Sequence, residues 1–188
     1  MKGIVYTEFL EMVETKFSIE LAEQIIEGCE LPSGAVYTAV GTYDHHELLQ
    51  LVAQLSDVTG IKVPDLVQAF GQHLFGRFFV SYPHLFEGIE TAFDFLQRTD
   101  GYIHVEVRKL YPDAVLPHFD TRMIGSNSLQ MIYRSELPFG DLAEGLMRGC
   151  AAHFGEEIAI QREAPSESGT GGTRFVLTCR AEVPECSA

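Results

Sequence analysis

The hydrophobic pattern of this chain changes period near Pro117, where strand-like alternation first appears, and that change limits the architectures open to it. Upstream, apolar residues recur every three or four positions, the spacing that collects them on one face of a helix. Downstream they alternate, the spacing of a strand with one buried face. Tyr6, Phe9, Leu10, Val13 and Phe17 predict a first helix over residues 4–17. Ile19, Ala22, Ile25 and Ile26 predict a second over 18–29, opened by Ser18. Asp44 is placed to cap a third helix, 44–59, which ends near Gly60. Pro64 sits where a first helical turn tolerates proline, and Val67, Phe70, Leu74 and Phe78 carry a fourth helix to residue 80. A shorter apolar run covers 88–97, and a helix begun at Thr99 or Asp100 runs to Tyr111, where Pro112 stops it.

Past Pro117, residues 117–124 and 128–136 read as strands joined by a Ser126-Asn127 turn. Residues 139–154 read as a helix with Leu142, Leu146, Cys150 and Phe154 on one stripe, and 157–163 and 173–180 as two further strands. The Ser/Gly-rich stretch between those strands reads as a hairpin connection, because its glycines precede no strand-to-helix phosphate turn. The fold class expected is α+β. A helical N-terminal lobe, 1–60, is followed by an α+β lobe, 61–188, built on a four-stranded antiparallel sheet plus helices.

Composition removes several roles. Thirteen Lys and Arg against 27 Asp and Glu leave a net charge of −14, a field that repels phosphate backbones and anionic lipid surfaces, so neither nucleic acid nor membrane is expected as a partner. The start, MKGIVYTEF, lacks the basic and apolar regions of a signal peptide, and no apolar run approaches the ~18 residues of a membrane span. Four cysteines (Cys29, Cys150, Cys179 and Cys186) are too sparse for a disulfide scaffold, so a cytoplasmic protein with free thiols is expected. Thirteen Phe and no Trp supply large apolar volume with little polar decoration.

Among reactive side chains only the seven histidines are abundant. His45 and His46 fall in a first helical turn, and His84 and His118 adjoin prolines. His153 shares a helix face with Cys150, and with Cys179 and Cys186 it could form a zinc or redox site, the alternative reading of the chain. No G-x-S-x-G, Walker loop or H-E-x-x-H is present, so an enzyme is not expected. His104 stands apart because Ile103, Val107 and Leu110 form an apolar stripe whose edge it occupies, directed towards a cavity; a packed core histidine fits the same periodicity. In Met131–Leu137, alternation puts Tyr133, Ser135 and Leu137 on one face. Two hydroxyls in a row there either satisfy each other in the core or clamp an anionic group of a ligand otherwise buried in carbon.

These elements, taken in order, resemble the haem nitric oxide/oxygen-binding (H-NOX) family, related to the sensor domain of soluble guanylate cyclase. The resemblance runs through nearly the whole chain: the MKGI start, a helix with a lone His104, Leu110-Tyr111-Pro112, Pro117-x-Phe119, Tyr133-x-Ser135 and the helix GLMRGCAAHF. It implies haem b as cofactor, His104 as the iron ligand, and Pro117 packed against the porphyrin to hold it out of plane. Tyr133 and Ser135 match the first two members of a Tyr-x-Ser-x-Arg motif that binds the haem propionates. The third position is Leu137, so a charged contact is replaced by an apolar side chain, a loss of about 1–3 kcal/mol. Arg134 points to the opposite sheet face.

By the same resemblance Leu142 stands where oxygen-binding members carry a tyrosine, and Phe9 and Leu74 line the pocket with it. Phe78 and Leu146 complete the expected cofactor contacts on the same helices. With no hydrogen-bond donor among them, ferrous protein is expected to bind NO and CO without forming a stable oxygen complex. The implied role is sensing: NO weakens the iron–His104 bond, the porphyrin relaxes, and the two lobes shift. The expected output is a separate signalling protein, a sensor histidine kinase or a cyclic-di-GMP enzyme.

Overall fold

The structure is a computed structural model that describes residues 1–163 and 172–180. Side chains take up free amide groups at the start of three of its helices. Helix α1 spans Gly3–Lys16. Ser18 accepts the Leu21 amide at 3.1 Å to open α2, Ile19–Glu27. Asp44 accepts the His46 amide at 3.0 Å to open α3, His45–Thr59. Gly60 closes α3 in the left-handed conformation (φ 73°), which a side chain at that position would resist. Helix α4, Val63–Ser81, carries Pro64 in its first turn, as expected.

Two segments differ from the periodic reading. The 88–97 run narrows to a short helix α5, Ala92–Gln97, capped by Thr91, and a 3-10 turn, Pro83–Phe86, precedes it. The helix expected from Thr99 to Tyr111 is not uniform. It begins as a π turn, Thr99–Ile103, in which the Ile103 amide reaches back to the Arg98 carbonyl at 3.1 Å, and continues as α6, His104–Leu110. Periodicity cannot report this, because one widened turn shifts the stripe by a single residue.

Strands β1 (His118–Met123), β2 (Ser128–Arg134), β3 (Ile158–Glu163) and β4 (Thr173–Cys179) form one antiparallel sheet in the order β1-β2-β4-β3. The α+β class is therefore as expected. Leu129, Met131 and Tyr133 alternate on the buried face of β2, beside Phe175 and Leu177 of β4. Helix α7, Gly140–His153, crosses from β2 to β3 and packs on that face. Its core side is Ala143, Met147, Cys150 and Ala151, whereas Leu142 and Leu146 of the expected stripe are only half buried.

Two apolar clusters make up the core. One joins α1, α2, α3 and the first half of α4, with Phe139; the other joins Phe75, α5, the sheet and α7. Residue 60 lies in the turn before α4, but packing does not divide there, because α4 supplies Leu66 to Leu74 to one cluster and Phe75 to the other. Helices α4 and α7 meet at backbone distance. A Cβ on Gly145 would lie 2.2 Å from the Gln68 carbonyl oxygen, and one on Gly71 would lie 2.6 Å from that of Leu142.

Candidate cofactor site

Where the two clusters meet, a cavity of about 260 Å³ opens, the liquid volume of roughly nine water molecules. Its walls give water little to bind. On one flank stand Leu74 and Phe78 from α4 and Leu142 and Leu146 from α7, with Ile4 and Val5 of α1 nearby; on the other stand His104, Val107, Pro117 and Phe119. Side chains lining such a void lose the contacts that an apolar body filling it would restore.

His104 is the one imidazole on this wall. It is 9% exposed, and burial pushes its pKa below the ordinary value, with the Asp100 carboxylate acting in the opposite sense. The neutral ring is therefore the favoured form. Nδ1 lies 3.1 Å from Asp100 Oδ1, which commits that nitrogen to donating. The lone pair then resides on Nε2, the arrangement that suits imidazole to a metal. Asp100 lies in the π turn and His104 begins α6, so imidazole and carboxylate come from adjoining turns of the chain.

Tyr133, next to last in β2, is buried against Phe119, with ring centroids 5.5 Å apart. Burial pushes its phenol pKa up, so the hydroxyl stays protonated and able to donate. That hydroxyl reaches the Leu137 carbonyl at 3.4 Å, a long bond that a better acceptor could displace. Ser135 Oγ accepts the Leu137 amide at 3.0 Å, which leaves its own O–H free to donate. Tyr133, Ser135 and Leu137 all line the cavity, as the alternation required, although Ser135 and Leu137 lie just past the strand end. Arg134 turns to the other face and pairs with Asp120.

Comparison with known proteins decides what this cavity takes. The profile of the Haem-NO-binding family matches residues 2–162. The chain belongs to that family. Haem is accordingly its cofactor, and haem-based gas sensing its role. Among solved structures, the Fe(II) unliganded H-NOX protein of K. algicida is 39% identical, with TM-score 0.88 over 97% of this chain and 98% of that one. An H-NOX of Shewanella woodyi, solved with IWP-051 in the Fe(II)CO state, is 39% identical, with TM-score 0.83 over 100% and 99%. An H-NOX of S. oneidensis in the Fe(II)NO state is 25% identical, with TM-score 0.88 over 96% and 100%. No curated protein sequence matches the chain.

The residues present fit the family's cofactor. A flat apolar macrocycle with one metal and two carboxylates needs carbon walls, one free imidazole nitrogen and hydroxyl donors near one rim, and this H-NOX cavity has each. Its one cationic side chain among the described residues is Lys2, whose Nζ is bound to Asp113 at 3.0 Å and Thr42 at 2.9 Å.

Of the residues the sequence singled out, His104, Pro117, Tyr133, Ser135, Leu74, Phe78, Leu142 and Leu146 all reach the cavity. Phe9 does not. It is fully buried and stands edge-on to Phe70, 5.3 Å between centroids, one helical turn below Leu74 on α4. At that depth it packs the N-terminal core, and Val5, one turn earlier on α1, takes the wall position instead. Periodicity gave both the same face and could not say where along α1 the cavity stops. Ile4 and Val5 were missed for the same reason.

The zinc alternative finds no support among the described residues. Cys150 is buried with Sγ 3.8 Å from the Ala92 carbonyl, and burial drives its thiol pKa far up. His153 instead stacks against Phe79 at 4.1 Å, and Cys179 sits on β4. The three do not converge as metal ligands. Cys186 lies outside the described residues.

Proposed function

We propose that this H-NOX domain binds haem b through His104 Nε2 and reports NO, and also CO, to a separate signalling protein. One observation carries the reading: a buried neutral imidazole, with its second nitrogen fixed by a carboxylate, stands on the wall of a carbon-lined cavity. The CO- and NO-ligated states of the related S. woodyi and S. oneidensis proteins support the choice of ligands.

Ferrous haem, when bound, supplies the iron that takes up the diatomic ligand. The chain's own residues do the rest. Tyr133 and Ser135 offer O–H donors to the propionates, and Pro117 presses on the cofactor from the His104 side. Leu74, Phe78, Leu142 and Leu146 keep water from the opposite side, and none can donate a hydrogen bond to bound oxygen. Tyr82 also reaches the cavity, but its hydroxyl is paired with that of Tyr111 at 3.1 Å. Burial and that pairing raise its pKa to about 12.

His104 joins the site to the rest of the molecule. Its helix leads to Asp113, which accepts hydrogen bonds from Lys2 and Thr42 of the N-terminal lobe. Release of His104 would loosen α6 and hence this tie between the lobes. We assign sensing rather than turnover to the domain, with a sensor histidine kinase or a cyclic-di-GMP enzyme as the receiving partner. Among the described residues no helix is long and apolar enough to cross a membrane, and no disulfide joins Cys29, Cys150 and Cys179 to one another. Both observations support a cytoplasmic setting.

The absorption spectrum tests the reading. Purified protein should show a Soret band that shifts when NO or CO is added to the ferrous form and that forms no long-lived oxygen complex in air. His104→Gly supplied with free imidazole should keep haem yet lose NO control of the partner. A stable oxygen complex would refute the selectivity, and NO control surviving in His104→Gly would refute His104 as the trigger.

A further inference from the structure

Asp100 does more than touch His104. Its Oδ1 also accepts the Phe119 amide at 3.1 Å, and its Oδ2 lies 2.5 Å from His118 Nδ1. The other ring nitrogen of His118 lies 3.0 Å from Asp120 Oδ1, and Asp120 pairs with Arg134 across the β1–β2 ladder. A chain of polar contacts thus runs from the buried imidazole, through a carboxylate held from three directions, to the surface of the sheet. Asp100 is itself partly buried, with 29% of its side chain exposed.

We infer that Asp100 and His118 are positioning residues that set the direction and donor strength of His104 and couple it to strands β1 and β2. The inference rests on His104 being the iron ligand. A carboxylate accepting the Nδ1 hydrogen draws that proton towards itself and raises electron density at Nε2, which strengthens the bond that nitrogen makes to a metal. It also locks the ring against rotation about its Cβ. A carboxylate that could swing away would do neither, and here the Phe119 amide fixes one oxygen while His118 fixes the other. Because Phe119 and His118 belong to β1, any displacement of that strand alters the hold on His104 without contacting the cofactor.

The test compares Asp100→Asn, His118→Ala and His104→Gly with the parent protein. Asp100→Asn keeps the shape but removes the charge. In the ferrous protein it should lower the iron–histidine stretching frequency and speed haem loss to apomyoglobin by about 10–100-fold. His118→Ala should shift both in the same direction by less. In haem-free protein, nitrogen NMR of His104 should show the Nδ1–H tautomer in the parent and a mixture in Asp100→Asn, a readout independent of cofactor loading. Unchanged frequency, haem loss and tautomer in both variants would overturn the inference. If Asp100→Asn does not fold, His118→Ala decides alone, with unchanged frequency and haem loss counting against it. A histidine stretching band that survives in His104→Gly would instead sink the ligand assignment on which the inference stands.

Discussion

Leu137 stands where the resemblance to the family leads one to expect the arginine of a propionate-binding motif, and its backbone is tied to both neighbouring hydroxyls. Its amide and carbonyl are the partners of Ser135 and Tyr133, so the backbone organises the two hydroxyls while the side chain packs against the N-terminal cluster. Leu137→Arg adds a cation beside them without removing either hydrogen bond. Haem loss should slow by about 10-fold or more, the lower end of what a charged hydrogen bond contributes. Equal haem-loss rates in a stopped-flow transfer assay would show that the position is indifferent to charge.

His73 offers a second test at this scale. Its Nε2 is buried without a hydrogen-bond partner, 3.7 Å from Glu8 Oε2. Burial lowers its pKa, and this outweighs the opposing pull of Glu8. The unfolded chain therefore binds this proton more readily than the folded one. Stability should fall as pH drops through the ordinary histidine value of about 6.5. Urea midpoints of His73→Gln, measured from pH 7.5 to 5.5 in the same haem state as the parent, should fall less steeply than the parent's.

Among elements, the contact between α4 and α7 fixes the cavity, because these helices supply Leu74, Phe78, Leu142 and Leu146. Their approach depends on Gly145 facing the Gln68 carbonyl, an atom that belongs to backbone and cannot swing aside. Gly145→Ala should cost about 1–3 kcal/mol in chemical denaturation and reduce haem occupancy. A variant that keeps parental stability and haem content would show that the helices can separate freely. The sequence carried a trace of this contact in Gly145 and Gly149, four residues apart, but glycine spacing on one helix names no partner. The helices and strands themselves were legible, because caps and periodicity are local. The π turn was not, since it preserves the apolar spacing on both sides while changing the hydrogen-bond ring between them.

For the whole molecule, the cavity is a deficit that the cofactor removes. A cofactor that binds only the folded state at about a thousandfold over its Kd adds about 4 kcal/mol, a large share of the 5–15 kcal/mol that holds a domain together. Haem-free protein should therefore melt about 8–16 °C below the haem-loaded form, given about 2–4 °C per kcal/mol at this size. Calorimetry on matched samples checks this, and coincident melting would mean that the walls collapse without cofactor. The net charge of −14 enters here too, since the propionates add negative charge to an acidic protein whose cavity, among the described residues, presents Lys2 as its one cation, already paired with Asp113.

The amino-acid order by itself determined the succession of helices and strands, the shared face of Tyr133, Ser135 and Leu137, and the isolation of His104 on an apolar helix. Each follows from spacing along one element. The tertiary structure decided what meets across elements: Phe9 in the core and not at the wall, Cys150 sealed from any metal, and Asp100 clamped by His118 and the Phe119 amide. Local spacing fixes which way a side chain points, but the depth at which it stops, and which groups meet it there, are set by the packing of distant segments.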